Sequence, residues 1–235
     1  MKPTINASLY LVTDARLSRG RSHREVVSAA IRGGVTVVQY REKNASTRQM
    51  VAEALELREV CRAQHVLFIV NDRVDVALAV DADGVHVGQD DLPVALARRW
   101  VGPEKLVGAS AENVEQALAA IADGADYLGV SPVFATATKS DAGEPMGLGG
   151  LGQIVSKSTL PVVGISGINA TNAASVIRAG AAGVAVVSAI VSAEDVEHAA
   201  RELSKIVLEA RQSRDAQDAK PWRVPASCAI RTSIQ

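Results

Sequence analysis

Two aspartates, Asp72 and Asp91, stand in the stretch FIVNDRVDVALAVDADGVHVGQDD (Phe68–Asp91), just past two apolar runs, Leu67–Val70 and Gly84–Val87. The runs read as short parallel strands with Arg73–Val80 as the helix between them, because a parallel pair needs such a crossover. Each run ends in polar residues, Asn71-Asp72 in one case and Gln89-Asp90-Asp91 in the other. In a repeating strand–helix fold those ends point the same way, so the two carboxylates are expected to meet over the end of the sheet. With Arg41 and Lys43 upstream, such a pair suits Mg²⁺ and a pyrophosphate. Mg²⁺ commonly takes one or two protein carboxylates and leaves its other positions to water and substrate phosphate.

The other candidates also follow apolar runs. Val35–Tyr40 leads into Gln39-Tyr40-Arg41-Glu42-Lys43. Alternation along a strand puts Gln39, Arg41 and Lys43 on one side and Tyr40 and Glu42 on the other. An amide and two cations on one side could grip the edge of an aromatic ring and a polyphosphate, Arg by fork-like contacts and Lys as a point charge. The competing reading is a solvated strand end with ordinary salt bridges. Ser110, in Gly108-Ala109-Ser110 ahead of Glu112–Ala122, reads on its own as a helix N-cap, a place that also attracts phosphate. The long loop from Ser131 to Gly143 carries Thr136, Ala137, Thr138 and Lys139, a pattern that suits a flap delivering Lys139 to a phosphate. Farther on come Ser166-Gly167 and Val187-Ser188, in loops of the kind that form phosphate sites from backbone N–H groups, or else pack tightly at a rim. His23, His65 and His198 fall on helices or their ends and read as surface residues, while His86 either lines the mouth or is a buried structural histidine.

The elements that must hold these residues repeat. From Leu9–Val12 onward, eight strand-like runs are each followed by a helix-like one, the last helix being Asp195–Arg211. Helix ends recur as Gly-Val, Gly-Ala-Asp and Gly-Ala-Ala-Gly-Val. Eight such repeats predict an α/β fold, a single (β/α)₈ TIM barrel over residues 1–211, with active-site groups at the C-terminal ends of the strands. An open doubly wound sheet is the competitor, but the count reaches eight and the first strand–helix turn lacks a dinucleotide-type glycine fingerprint. Beyond Arg211 the period stops, and residues 212–235 read as a loose, irregular tail outside the barrel.

Composition narrows the class. In 235 residues, 25 Lys and Arg against 26 Asp and Glu give a net charge of −1, so nothing points to a nucleic-acid or membrane surface. No apolar run approaches the ~20 residues a membrane helix needs. The N-terminal stretch MKPTINASLYLVTD lacks a signal peptide's apolar segment. Two cysteines, Cys61 and Cys228, have neither metal-site nor framework spacing. A soluble cytoplasmic protein acting on small molecules is expected, and the sequence leaves a homodimer open.

The series QYREK, VNDR, HVGQDD, GAS, TATK, GISGI and VSAI, in this order over Leu9 to Arg211, closely resembles the thiamine-phosphate synthase (thiamine-phosphate pyrophosphorylase) family. The resemblance implies a (β/α)₈ barrel and a transferase of thiamine biosynthesis. Its reaction joins 4-amino-5-hydroxymethyl-2-methylpyrimidine diphosphate to 4-methyl-5-(2-hydroxyethyl)thiazole phosphate, with loss of diphosphate. It further implies that Gln39, Tyr40, Arg41, Glu42 and Lys43 hold the pyrimidine diphosphate, with Asn71, Ser110 and Lys139 as further contacts. Asp72 and Asp91 fall on the Mg²⁺ ligands. Thr136, Ala137 and Thr138, then Gly167, Val187 and Ser188, fall on the thiazole phosphate site. Arg41, Lys43, Ser110 and Lys139 are the residues expected to act in catalysis, by stabilising charge on a diphosphate that leaves ahead of attack. Gly-Ile-Ser-Gly replaces the commoner Gly-Ile-Gly-Gly, the tail has no counterpart, and no kinase-like segment is fused. A thiazole tautomerase of similar barrel would use a late-loop His as base, and no His lies between His86 and His198. A non-catalytic barrel that senses thiamine precursors would lack a metal carboxylate or the flap lysine, and both are present.

Overall fold

A computed structural model of the chain describes residues 2–136 and 143–218. Eight parallel strands close into a barrel in which each pairs with its neighbours in sequence order and the last pairs with the first. They are β1 (Leu9–Val12), β2 (Val37–Tyr40), β3 (Leu67–Asn71), β4 (Gly84–Val87), β5 (Leu106–Ala111), β6 (Tyr127–Val130), β7 (Val162–Gly164) and β8 (Gly183–Val186). The strands are short runs rich in Val, Leu and Ile and almost fully buried, as expected of a parallel sheet covered on both faces. Around them lie α1 (His23–Arg32), α2 (Thr47–Ala63), α3 (Val74–Ala79), α4 (Val94–Val101), α5 (Val114–Ala122), α6 (Gly147–Lys157), α7 (Ala173–Arg178), a short α8 (Ser188–Val191) and α9 (Val196–Asp218). The (β/α)₈ architecture expected from the eight repeats is therefore the one observed. Among the described residues no helix is long and apolar enough to cross a membrane.

Local chemistry sets the helix starts. Ser22 with Glu25, and Ser46 with Gln49, form reciprocal capping boxes at α1 and α2. Asn113, not Ser110, caps α5, by accepting from Gln116 N. The N-cap expectation for Ser110 is thus corrected: β5 runs on to Ala111, and Ser110 is a strand residue with its hydroxyl in the barrel. Cys61 packs in the core from α2, where burial pushes its thiol up to about 12.

The boundary expected at Arg211 also shifts. α9 continues through Arg211 to Asp218, and Arg214 Nη1 donates to the carbonyls of Ile177 and Ala181 at 3.2 and 2.9 Å. Those carbonyls flank the C-terminal end of α7, so polar anchoring extends the helix where hydrophobic period no longer signals it. Residues 219–235 lie outside the described part.

Two apolar layers result. The larger lies between barrel and helices, and a smaller one fills the barrel with Tyr10, Val12, Val37, Ile69, Leu106, Tyr127 and their neighbours. Glycine makes the inner layer fit: a Cβ on Gly108 would sit 2.2 Å from the Tyr127 ring and 2.5 Å from His86 Nδ1.

Candidate active site

A cleft of about 250 Å³ opens at the C-terminal ends of the strands. On one side Gln39, Arg41 and Lys43 project into it from β2 and the segment after it. Tyr40 and Glu42 do not. Tyr40 is fully buried and donates its hydroxyl to Glu53 Oε2 at 2.8 Å in the layer beneath α2, where burial, and then Glu53, raises its pKa. Glu42 Oε1 instead accepts from Asn44 N at 2.7 Å. Strand alternation puts Tyr40 on the helix-facing side and the Glu42 side chain does not line the cleft, so a contact from either to a ligand there would have to come from backbone.

Asp72 and Asp91 do meet. Asp72 adopts a left-handed backbone (φ 61°), one that Asp tolerates better than most residues, and its N–H donates to the carbonyl of His86 at 2.8 Å. This turn seats the carboxylate beside β4. Asp91 Oδ2 accepts from Gly88 N at 2.8 Å, which folds the loop after β4 back toward Asp72. Asp91 is pushed above the usual carboxylate range, first by burial and next by the Asp72 carboxyl bonded to it. Lys43 Nζ lies 2.6 Å from Asp72 Oδ2 and partly offsets the crowding. Asn71, the last residue of β3, lines the cleft next to them.

Sequence reasoning missed Asp14. It is 3% exposed, caps the turn Ala15–Leu17 through the N–H groups of Arg16 and Leu17, and holds Arg41 Nη1 at 3.3 Å. Thr13 Oγ1 accepts from Arg41 N at 2.9 Å. The signal was present, since Thr13-Asp14 ends a strand as Asn71-Asp72 does.

The floor is polar. Gln39 Nε2 donates to the Tyr10 hydroxyl (2.9 Å), which meets the Tyr127 hydroxyl at 2.7 Å. Tyr127 meets His86 Nδ1 at 3.2 Å, and His86 Nε2 meets Ser110 Oγ at 3.0 Å. His86 therefore both lines the cleft and is buried, and burial pushes it down to about 4. Its imidazole stays neutral in the fold, whereas the unfolded chain takes up a proton below the ordinary 6.5, so stability is lost as pH falls from 6.5 toward 4. This residue alone is expected to cost up to about 3 kcal/mol over that interval. Urea midpoints of the protein and of His86→Gln, followed from neutral to acid pH, check it. Equal slopes for the two would remove the assignment.

The far wall comes from the loops after β6, β7 and β8. Thr136, Gly167, Val187 and Ser188 line it together, and Ala137, Thr138 and Lys139 lie outside the described residues. Gly167 is left-handed (φ 67°), and a Cβ there would come within 2.4 Å of Ala135 O, so glycine brings the turn after β7 against the loop after β6. Ser166 is left-handed too (φ 81°), at the position where the resembling motif has glycine. The short α8 that starts at Ser188 was not expected from the sequence.

Of the histidines expected at the surface, His65 and His198 are exposed. His23 is not: its side chain is only 9% exposed, packs edge-on against Tyr40 and pairs with Glu53 at 3.0 Å.

Comparison with known proteins gives a consistent result. Residues 9–190 match the family model described as thiamine monophosphate synthase. A thiamine-phosphate synthase of Chloroflexus aurantiacus is 67% identical over 199 residues, which cover 85% of this chain and 92% of that protein. One from Moorella thermoacetica is 51% identical over 203 residues, 86% of this chain and 97% of that one. The solved thiamine phosphate pyrophosphorylase of Pyrococcus furiosus superposes with a TM-score of 0.82 at 47% identity, over 87% of this chain and 97% of that one. With the barrel, the paired carboxylates and the basic rim at the same mouth, the chain belongs to the thiamine monophosphate synthase family of enzymes.

Proposed function

We propose that this transferase joins 4-amino-5-hydroxymethyl-2-methylpyrimidine diphosphate to 4-methyl-5-(2-hydroxyethyl)thiazole phosphate, giving thiamine phosphate and diphosphate. Family membership supports the reaction. The observation that carries the reading at this site is the meeting of Asp72 and Asp91 under Lys43, with Arg41 beside them. A crowded carboxylate pair next to two cations is a poor place for an apolar ligand and a good one for a metal diphosphate. The donor set fits Mg²⁺: two hard oxygen ligands, which leave the ion's other positions to water and substrate phosphate. When bound, the ion supplies Lewis-acid stabilisation of charge on the departing diphosphate.

The chain's own groups then divide the work. Lys43 and Arg41 face the diphosphate as charge grows on it, and Asp14 fixes the Arg41 guanidinium for that purpose. Gln39, Asn71 and Ser110 line the part of the cleft open to the pyrimidine. The small-residue turns at Gly167 and Val187-Ser188 let backbone approach the thiazole phosphate. The aminopyrimidine can bear positive charge at its methylene, so departure runs ahead of attack by the thiazole nitrogen. No protein nucleophile is required, and holding two substrates in line contributes much of the rate.

The test mixes both substrates with the protein, with and without Mg²⁺, and measures released diphosphate and thiamine phosphate. Release only with both substrates and Mg²⁺ supports the reading, and no thiamine phosphate under any condition ends it. Lys139→Ala is expected to lower kcat far more than it weakens thiazole phosphate binding. Turnover equal to wild type would remove the flap lysine from the mechanism.

A further inference from the structure

In the closed barrel β1 stands between β2 and β8, so the segment after it joins the two sides of the cleft. One end serves the β2 side, where Asp14 holds Arg41. The other end is Arg21, which reaches across to the chain beyond β8. Its Nη2 donates to the carbonyls of Val191 and Ala193 at 2.9 and 2.8 Å, and its Nη1 to that of Glu194 at 3.3 Å. Nε donates to Ser18 O at 2.8 Å. A guanidinium only donates and a carbonyl only accepts, so the sense of every one of these bonds is fixed.

The carbonyls lie at and just past the end of α8, a helix of four residues, too short to hold its own shape. Buried Ile190 and Val191 press it onto the core, but apolar contact is non-directional and leaves its register to hydrogen bonds. Val191 N donates back to Val187 O at 2.8 Å. Two hydrogen bonds thus separate the Arg21 guanidinium from Val187, which with Ser188 forms the β8 part of the cleft wall. Between its ends the segment is laced to itself. Asp14 Oδ1 accepts from the N–H groups of Arg16 and Leu17 at 3.0 and 3.2 Å. Ser18 Oγ donates to Ala15 O at 2.9 Å, and Arg21 N to Ser18 O at 3.2 Å.

We propose that Arg21 is a positioning residue for the thiazole phosphate subsite, and that residues 14–21 form a bracket setting that subsite against Arg41 on the diphosphate side. This role rests on the thiazole phosphate reading of the far wall. What it secures is alignment, because attack in line with a leaving group suffers from a misplacement of about 1 Å, and one stiff piece of chain supports both partners.

Arg21→Met keeps the aliphatic stem and removes every donor. Calorimetry should show thiazole phosphate bound about tenfold more weakly. Binding of the pyrimidine diphosphate with Mg²⁺ should not change, because the Asp14 turn is bonded within itself. With both substrates saturating, kcat should also fall, by about tenfold or more. Arg21→Lys, with a charge and three donors but no fork, should recover part of each loss. Asp14→Asn should give the complementary pattern, a lower kcat with thiazole phosphate binding intact. If Arg21→Met weakens both substrates alike, in step with a lower melting temperature, Arg21 is a general contact of the fold and the bracket is wrong. Unchanged thiazole phosphate binding would equally overturn it, since α8 then stands without the guanidinium. Should Arg21→Met not fold, Arg21→Lys carries the same comparison between the two substrates. Wild type that binds no thiazole phosphate would instead overturn the substrate reading, a result distinct from a variant that binds as well as wild type.

Discussion

Replacing Asp72 or Asp91 with asparagine is expected to lower kcat/KM by about 10²- to 10³-fold and to leave the fold at least as stable. The two halves of this expectation have one cause. Asp91 is held above the usual carboxylate range by burial and by the Asp72 carboxyl. An acid whose pKa is raised by folding loses stability as pH rises through that value, so at neutral pH the ionised pair strains the loop it sits in. In Asp91→Asn the amide oxygen can still accept from Gly88 N–H, and removing one charge relieves the other. The same relief removes the reason to bind a divalent ion. Turnover should therefore fall steeply and recover in part at high Mg²⁺, with the Mg²⁺ concentration for half-maximal rate shifted upward. Steady-state rates across Mg²⁺ concentration, with a thermal melt of each variant, check both halves. A loss of activity that tracks a lower melting temperature would make the pair structural rather than an ion site.

The parts of this molecule written as local period were legible before the structure. Strand-like runs ended by Asn71-Asp72 and Gln89-Asp90-Asp91 led to a barrel and to a carboxylate pair at its mouth, and β-alternation separated Gln39, Arg41 and Lys43 from Tyr40 and Glu42. What stayed hidden depends on partners distant in sequence. Tyr10 and Tyr127 lie 117 residues apart and look like ordinary apolar strand residues until closure of the barrel brings their hydroxyls to 2.7 Å. Ser110 reads as a cap because a helix follows shortly, but the register of β5 against β4 pairs His86 with Gly108 and carries Ser110 inward. Asp14 belongs to a motif with half its meaning just after β2, where Arg41 waits. The end of α9 fails for the same reason. Arg214 looks like tail charge, and only the end of α7 gives it carbonyls to hold.

Gly108→Ala is expected to destabilise the fold by about 3–5 kcal/mol, a large loss for a single methyl group. Gly108 faces the barrel axis opposite Tyr127 in register, and the added carbon would fall 2.2 Å from the Tyr127 ring, 2.4 Å from its hydroxyl and 2.5 Å from His86 Nδ1. None of those atoms is the free end of a flexible chain. Tyr127 is held by Tyr10, and His86 by Ser110 and by the wall of β6, where Gly129 already lies close to its ring. Relaxation must therefore either overpack the inner layer or break buried hydrogen bonds of the floor, and each costs on its own. The control is Gly152→Ala within α6, where the nearest atom to a new Cβ is Ala179 O at 3.9 Å. There the change replaces a helix-interior glycine at no steric cost and should stabilise by about 0.5–1 kcal/mol. Urea unfolding of the two variants should move the midpoint in opposite directions. If Gly108→Ala matches wild type, the rings at the barrel axis have room to give, and the rigid hydrogen-bonded floor derived from them does not exist.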